Sequence, residues 1–534
     1  MTDSVQEQDL IHMSATRMAE AVRQREISVE AIVSAHIRQI NRVNGLLNAV
    51  IYPMFDEALA AARAADCQLA AGEARGQLFG VPMTIKDQYM VKGTPTWLGL
   101  AKALDPDGHR EGPLVARLRE EGAIFLGKTN VPQLCLTYLS DHARFGSACN
   151  PWNTARVPGG SSGGEAAIIA AKGSPLGLGG DMGGSLRVPA HKCGIHTIKP
   201  TGCRFPNDDS PLFPDKLGAF AGFEPYTTQP GPMARHVDDL KLMMDALLTR
   251  PLSSKTLHAQ TPWTPGPVAE ARGLRIGYYS SHPFFPASSG VQRVVNDAVE
   301  ILKDIGFSVV PFEYPEFEDA FRIAIRLISA AGANWINQAL GRDAPTPVVK
   351  HLKTSLSMGK MMRGAMCGML RKMGQATSAK LLADTAPSSA NVFQRLTAER
   401  TEMRARFLHQ MDAEHIDIII CPAFALPAVS HGDDVGAMTM AGCYSLIFNL
   451  LGNPAGVVAA SRVRASETAR RPAAKDLIFK AAKKVDEGSE GLPLGVQVVG
   501  RYWREDQVLS VMKTLETEFR TRDDYPDWRM NSTL

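Results

Sequence analysis

Two clusters of glycine and serine contain the residue types that could form a covalent intermediate with a substrate. The first, GGSSGG, holds Ser161 and Ser162, and the second, DMGGSLR, holds Ser185, 24 residues after Ser161. A serine hydroxyl becomes a nucleophile when a neighbouring base removes its proton. Gly183 and Gly184 allow the backbone before Ser185 to turn so that successive N–H groups converge on one point. The second cluster therefore predicts a nucleophile beside an oxyanion hole.

Three other interpretations of these clusters have to be weighed. Glycine-rich turns are common as plain connectors, and they can cradle a phosphate, although no Lys-Ser or Lys-Thr pair follows here as in a P-loop. Residues 160–164 formally fit G-x-S-x-G, which would make Ser162 the nucleophile of an α/β-hydrolase, but Pro158 stands where a strand should enter that turn. His191 and His196 follow the second cluster closely, yet a histidine in a helix or turn is more often structural than a base.

A lysine is the base that the sequence offers. Lys86 ends the apolar run at residues 81–85, where burial could keep its amine neutral near pH 7 and able to accept a proton. If the strand continues, Asp87 points to the opposite face and does not hold Lys86 in its charged form. Lys128 and Lys172 are interpreted as solvated side chains.

The elements that must position these residues follow an α/β pattern. The first eighty residues are predicted to be helical, with Ser28 at a helix start. Ser162 and Glu165 match a capping box in front of a short helix. Strand-like and helical pieces then alternate to about residue 248, which favours an α/β layer architecture with a largely parallel sheet. Later features are the strands LRIGYY, IDIIICP and LGVQVV, a connector at 251–273, a loop at 462–490 and a final helix from about Glu505.

The composition is that of a soluble globular protein without a nucleic-acid partner. Of 534 residues, 45% are hydrophobic and 21% charged, and the formal net charge is only +3. Eight cysteines are scattered without a C-x-x-C pair, which argues against a zinc site and favours a reducing compartment. The N-terminus shows neither a signal-peptide pattern nor a membrane span. We therefore expect a cytoplasmic protein.

Four stretches of the chain occur together in a distinctive order: GVPMTIKD, NPWNTARVPGGSSGGE, GSPLGLGGDMGGSLRVPAHKCGIHTIKPT and GPMARHVDDL. Together they resemble the amidase signature family of serine hydrolases, and within it the fatty acid amide hydrolases most closely. The likeness runs from about Ile27 to near the C-terminus. It implies an α/β fold, with a large twisted mixed β-sheet covered by helices on both faces. We predict an N-terminal helical segment, residues 1–80, packed on a single catalytic domain, residues 81–534.

The resemblance assigns catalytic roles by motif position. It implies Lys86 as the base, Ser161 as a proton relay and Ser185 as the nucleophile of an amidase that works through an acyl-enzyme. It also implies a cis peptide bond before the relay serine, and no metal or cofactor. The oxyanion is expected to be held by the main-chain N–H groups of Met182, Gly183, Gly184 and Ser185.

Other residues near the predicted site receive supporting roles. Ser162, Asp181 and Arg187 are assigned structural roles, with Asp181 and Arg187 pairing with each other or with the loop backbone. Cys135 stands where the close relatives place a methionine that lines the acyl pocket, so we include it among the substrate-binding residues. Simple core packing is the alternative for this cysteine.

The expected substrate is a small-molecule carboxylic acid amide, specifically an N-acyl or fatty acid amide. One alternative is a hydrolase of aryl amides, carbamates or oligoamides, and another is a glutamine amidotransferase component that works with a tRNA-dependent partner. A non-catalytic binding protein is a third, against which the complete set of one lysine and two serines argues. The chain could also form a homodimer.

Residues 343–384 are basic and rich in methionine. At helical spacing one face carries Met358, Met362, Met366, Met369 and Met373. Such a stripe is more often a core-facing side with solvated lysines opposite, and this alternative stays open. By resemblance the segment lies where fatty acid amide hydrolases carry a membrane-docking cap, and a basic amphipathic segment suits an anionic bilayer surface. We expect a cap-like segment with peripheral membrane contact through residues 350–373.

Overall fold

The computed structural model describes residues 8–211, 228–252, 258–259, 261–432 and 435–529. Part of the connector expected at 251–273 lies outside these residues. Within them, no helix is both long enough and apolar enough to cross a bilayer.

One mixed sheet of eleven strands forms the centre of the protein, in the order β1-β3-β2-β6-β8-β7-β12-β13-β11-β9-β10. The six strands from β6 to β11 in this order pair antiparallel, whereas β3-β2-β6 and β11-β9-β10 pair parallel. The expectation of a mixed sheet is confirmed, and the largely parallel arrangement inferred from alternation alone is wrong. The strands are β1 Val50–Pro53, β2 Pro82–Lys86, β3 Ile124–Thr129, β4 Asp141–His142, β5 Gly146–Ser147, β6 Leu176–Asp181, β7 His196–Lys199, β8 Gln229–Ala234, β9 Arg275–Tyr278, β10 Ser308–Pro311, β11 Ile418–Pro422, β12 Ala455–Arg462 and β13 Pro493–Gly500, of which β4 and β5 form a separate pair.

Helices cover both faces of the sheet. Along β3, Ile124 and Leu126 belong to one apolar cluster and Phe125 to another, because alternate side chains of a strand point to opposite faces. The helices are α1 Ala15–Arg23, α2 Val29–Leu47, α3 Phe55–Ala70, α4 Pro113–Glu120, α5 Gly163–Ala170, α6 Arg187–Cys193, α7 Val237–Leu248, α8 Ser289–Asp304, α9 Phe317–Ser329, α10 Asn334–Leu340, α11 Pro347–Ser357, α12 Lys360–Lys372, α13 Ala376–Asp384, α14 Ala390–Ala413, α15 Val435–Ala441, α16 Cys443–Leu451, α17 Leu477–Glu487 and α18 Glu505–Phe519.

The N-terminal segment contributes a strand as well as helices. Helix α2 starts as predicted, because Ser28 Oγ accepts a hydrogen bond from the N–H of Ala31 at 3.2 Å. β1, however, joins the edge of the central sheet, antiparallel to β3. The helical segment predicted at 1–80 therefore has one exception, because residues 50–53 form a strand of the central sheet.

Two further local predictions differ from the structure. Ser162 makes no side-chain capping bond at the start of α5, so the capping box is wrong. Glu165 instead accepts hydrogen bonds from Thr84 and Thr129, which tie the first turn of α5 to β2 and β3. The segment at 462–490 is not a loop throughout, because α17 forms within it and buries Ile478 and Val485.

The basic, methionine-rich segment at 343–384, which we call the cap segment, consists mainly of α11, α12 and α13. In sequence it lies between α9 and α14. The chain on either side of residues 331–387, which include the cap segment, meets where Ser388 N donates to Ala330 O at 2.9 Å. The predicted stripe is broken at Met358, where α11 ends before α12 begins. The side chains that α12 buries are Arg363 and Cys367, whereas the most exposed methionines are Met361, Met362, Met369 and Met373, at 90, 58, 50 and 64% exposure.

Candidate active site

The strand β2 ends at Lys86, whose side chain is fully buried. Its Nζ lies 2.8 Å from Ser161 Oγ and donates to Gly180 O, on the neighbouring strand β6, at 3.2 Å. Burial lowers the pKa of Lys86, because the charged ammonium loses its hydration in this position. The amine is thus held between a serine hydroxyl and a main-chain carbonyl, in surroundings that favour its neutral form.

The loop before α5 carries the first serine cluster into contact with the second. The peptide bond between Gly160 and Ser161 is cis. Ser140 Oγ supports this loop by donating to Gly159 O at 2.8 Å, and the N–H of Ser162 donates to Ser185 O at 3.1 Å. The structure therefore brings Lys86 into contact with Ser161 and places Ser185 beside Ser162, although β2 and the two serine loops are far apart in sequence.

The loop that carries Ser185 is organised by a buried ion pair. Asp181, at the end of β6, lies 2.9 Å from Arg187 Nε, so the pairing expected between these two residues is present. Although burial alone would raise the pKa of Asp181, Arg187 and the hydrogen bonds to this carboxylate hold it below its usual range. Arg187 also donates to Gln497 and Asn449, which belong to β13 and α16.

The main-chain amides around Ser185 do not all face the same way. The N–H of Gly184 donates to Asp181 Oδ1 at 2.7 Å, so the structure contradicts its expected place in the oxyanion hole. The physical reason is that Asp181 closes the loop on itself before Ser185. Met182, Gly183 and Ser185 stay as candidate donors, and Tyr138 Oη donates to Gly183 O at 2.5 Å.

Lys128 and Lys172 are not solvated, contrary to expectation. Lys128 is fully buried and lies 2.9 Å from Asp87, so Asp87 is paired with this lysine across β2 and β3. Asp87 also accepts from the N–H of Leu98 at 2.8 Å. Lys172 is 4% exposed and pairs with Asp527 at 3.1 Å. The burial of both lysines could not be predicted from local sequence, because their carboxylate partners lie on distant parts of the chain.

An apolar cluster lies beside the two catalytic loops. Cys135 is half-buried next to this cluster, its thiol interacts with Ser161, and burial raises the pKa of that thiol. Met182 packs against the same cluster. This side cluster is formed by buried residues of the loops near 98 and 134 and of the helices α10 and α11: Leu98, Leu100, Leu134, Ala333, Trp335, Ile336, Ala339, Leu340, Val349 and Leu356.

His191 and His196, which follow the second serine cluster in sequence, form hydrogen bonds with main-chain groups outside both serine clusters. His191 contacts Gly495 O and Leu426 O, each at 3.2 Å, and burial lowers its pKa to about 4. His196 accepts from the N–H of Ala459 at 3.2 Å, and burial lowers its pKa to about 3. Both side chains therefore have structural partners in the folded chain.

Sequence reasoning missed several residues that support the site. Glu165, which two threonines bind, is fully buried, and burial raises its pKa to about 8. Asn449 donates to Asp181 Oδ1 at 2.8 Å, and Tyr138 holds the Gly183 carbonyl. None of these carries a local sequence signal, because each binds a partner at least 36 residues away.

Comparisons with known proteins agree with this arrangement. The family model described as Amidase matches residues 31–509. Fatty-acid amide hydrolase 1 of Sus scrofa is 30% identical over 515 residues, covering 95% of this chain and 86% of its own. A glutamyl-tRNA(Gln) amidotransferase component of Acidothermus cellulolyticus is 29% identical over 549 residues, covering 97% and 98% of the two chains.

Solved structures show the same fold. A structure titled fatty acid amide hydrolase aligns with a TM-score of 0.79 at 22% identity, covering 95% of this chain and 85% of that one. A 6-aminohexanoate cyclic dimer hydrolase aligns with a TM-score of 0.71 at 24% identity, covering 97% and 100% of the two chains. The chain therefore belongs to the amidase signature family and is an amide hydrolase.

Proposed function

We propose that the protein hydrolyses amides of long-chain carboxylic acids, with Ser185 as the nucleophile, Ser161 as the proton relay and Lys86 as the base. The observation that carries this proposal is the 2.8 Å contact between Lys86 Nζ and Ser161 Oγ in a fully buried position. Nζ also donates to Gly180 O, so a neutral amine would have one N–H engaged there and would keep a lone pair able to accept the Ser161 proton.

The proton moves along this row of groups in each half of the reaction. Lys86 accepts the proton of Ser161 while Ser161 accepts that of Ser185, and Ser185 Oγ forms a bond to the amide carbon. Collapse of the tetrahedral intermediate breaks the C–N bond, and the amine leaves with the proton returned through Ser161. Water then repeats the sequence on the acyl-enzyme and releases the free acid.

The developing negative charge needs donors that are already in position. The N–H groups of Met182, Gly183 and Ser185 are the candidates, since Gly184 is bonded to Asp181. Removing a single such donor costs roughly a hundredfold or more in rate in comparable sites. The Asp181–Arg187 pair acts indirectly, because it fixes the loop that presents these amides.

The side cluster supports a long acyl chain as the substrate. It begins at Cys135 and Met182, beside the catalytic loops, and continues to Val349 and Leu356 on α11, which belongs to the cap segment. Burial of an alkyl chain against these residues would stabilise binding by about 0.8 kcal/mol for each CH₂ group removed from water. The relatives named as fatty acid amide hydrolases support the same substrate class.

A fluorophosphonate probe followed by peptide mass spectrometry tests the assignment of the nucleophile. We expect labelling at Ser185 and complete loss of amide hydrolysis in Ser185→Ala. Ser162 is the matched control, because its hydroxyl is fully buried and bonded to both the N–H and the carbonyl of Gly180. Labelling at Ser162, with Ser185→Ala still active, would show that the assignment is wrong.

A panel of substrates separates the alternatives. Purified chain should release acid from a long-chain acyl amide faster than from an aryl amide, a cyclic oligoamide or glutamine. The match to amidotransferase components makes glutamine an essential member of this panel. Ammonia release from glutamine without activity on acyl amides would favour the amidotransferase function, and a preference for short aryl or cyclic amides would contradict the long-chain substrate.

We further propose that the cap segment touches anionic membranes reversibly. Its four most exposed methionines stand among basic residues such as Lys360 and Lys372 at the two ends of α12. Flotation with phosphatidylserine vesicles should show binding that salt weakens. Met361, Met362 and Met369 together changed to Ser should reduce it, whereas Leu46→Ser with Ile305→Ser, at exposed sites elsewhere, should not. Equal binding by both variants would contradict membrane contact through this segment.

A further inference from the structure

A polar cavity of about 130 Å³ lies away from the two serine clusters. Helix α5 begins next to Ser162 and ends at Ala170, which lines this cavity, and α6 begins close to Ser185 and ends just before Gly194, which also lines it. At 1.5 Å per residue, α5 separates the two places by about 12 Å. The charged and titratable residues of this cavity, which we call the basic cavity, are His12, Lys172, Arg235, His236, Arg520, Tyr525 and Asp527.

Its three permanent cations come from three separate parts of the fold. Lys172 follows α5, Arg235 follows β8, and Arg520 caps the end of α18. Arg520 is paired with Glu516 at 2.9 Å, and Lys172 with Asp527 at 3.1 Å. Two of the three cations therefore have a carboxylate partner inside or behind the cavity.

Arg235 is held by neutral groups instead. Its two terminal nitrogens donate to the main-chain oxygens of Ile169, Ser174, Ile11 and Met13, at 2.8 to 3.2 Å. The carboxylate of Asp239 accepts from the N–H groups of Ala15 and Thr16, and among the described residues none forms an ion pair with Arg235. The Arg235 guanidinium is thus fixed by main-chain dipoles, while Asp239 and Asp527 act on its charge without a direct contact.

The pKa values around the cavity are shifted first by burial and then by neighbouring charges. Burial lowers the pKa of Arg235 to about 10. The charge of Asp239 acts against this shift, and the charge of Arg520 adds to it. Burial lowers the pKa of Lys172, with Arg235 acting in the same direction and Asp527 against it. Burial and Lys172 also lower the pKa of His12. An anion placed between these groups would relieve their mutual repulsion.

The single carboxylate among the lining residues belongs to the C-terminal tail. Asp527 is 45% exposed, so the lining is completed by a group that can turn towards solvent. The tail around it is anchored separately, because Trp528 Nε1 donates to Pro151 O at 2.8 Å and the ring of Tyr525 lies 5.0 Å from the Arg520 guanidinium. Asp527 therefore occupies an anion position that another anion could take without detaching the tail.

We propose that the basic cavity binds a phosphate-type oxyanion, which displaces the side chain of Asp527. Two guanidinium groups and one ammonium group line the cavity. Because main-chain oxygens already bind the terminal nitrogens of Arg235, the Lys172 ammonium that Asp527 releases is the direct donor to the anion, and Arg235 acts through its charge. Free inorganic phosphate and the phosphoryl group of a small phosphomonoester share this chemistry. The site is distinct from the amidase centre and does not depend on the catalytic assignments.

Isothermal titration of the full chain with sodium phosphate, against sodium chloride of equal ionic strength, tests this proposal. Lys172→Gln should weaken phosphate binding about tenfold or more, because it removes a charge-assisted hydrogen bond. Asp527→Asn should tighten it, because the competing carboxylate is neutralised at an exposed position that folding tolerates. Lys303→Gln is the matched control, since this exposed lysine of α8 pairs with Glu300 at 2.9 Å, neither residue lines the cavity, and phosphate binding should stay unchanged.

Glycerol phosphate distinguishes the two sources of the ligand. Tighter binding of glycerol phosphate than of inorganic phosphate would identify an ester, and the reverse order would identify the free anion. The proposal is overturned if phosphate does not bind at millimolar concentration. It is also overturned if Asp527→Asn fails to tighten binding, or if Lys303→Gln weakens it as much as Lys172→Gln does.

Discussion

Adding a single methyl group at Gly184 should disable the catalytic loop. A Cβ atom at this position would lie 2.8 Å from Ser445 Cβ and 3.0 Å from Val188 Cγ2. Carbon atoms in ordinary contact are about 3.5 Å apart or more, so the loop must move by about 0.7 Å. The φ angle of +117° adds backbone strain of about 1–3 kcal/mol for a residue with a side chain. A displacement near 1 Å is worth roughly a hundredfold in rate.

We therefore expect Gly184→Ala to lower kcat for a short soluble amide about a hundredfold, with a smaller change in KM. The fluorophosphonate labelling rate of Ser185 should fall in parallel. Gly364→Ala, on the open side of α12, should change neither rate. Gly184→Ala with turnover within threefold of the parent protein would refute a rigid oxyanion loop.

Three further outcomes follow from buried charges. Arg187→Met should lower the free energy of unfolding by about 3–5 kcal/mol in urea titrations, because Asp181 would stay buried without its partner. Since burial lowers the pKa of Lys86, kcat/KM should rise with pH and level off below the range of an exposed lysine, and Lys86→Ala should abolish this profile. Burial raises the pKa of Glu165 to about 8, above about 4.3 for an unfolded chain, so its ionisation opposes folding. The free energy of unfolding should therefore decrease as the pH rises from about 4.3 to about 8, and this decrease should be smaller in Glu165→Gln.

The sequence predicted the parts of the site that depend on local pattern. An apolar run that ends in lysine became β2 with Lys86 at its end, and two glycine-serine clusters became the turns before α5 and α6. The burial of Lys86 was predictable because a lysine at the end of a central strand has few ways to reach solvent. These features need only short-range information.

The parts that were missed depend on distant pairing. Lys128 is buried because β3 lies parallel to β2 and brings it to Asp87, and neither residue signals the other in sequence. Glu165 was expected to cap its own helix, but two threonines on neighbouring strands bind its carboxylate instead. The prediction of strand directions was wrong for the same reason. β12 and β13 are joined through a helix, as in a parallel pair, yet they run antiparallel.

The hydrogen bond from Ser388 to Ala330 means that the chain leaves the catalytic core and returns to it at one point. Residues 331–387 are therefore an insertion whose length can vary cheaply, since doubling a closed loop costs only about 0.6 kcal/mol in entropy. Changes there would alter the side cluster itself, to which α10 and α11 contribute, without changing the residues of β2 or the serine loops. The same chemical core could thus be retargeted to amides of other sizes by exchanging this one contiguous module, both in evolution and in the laboratory.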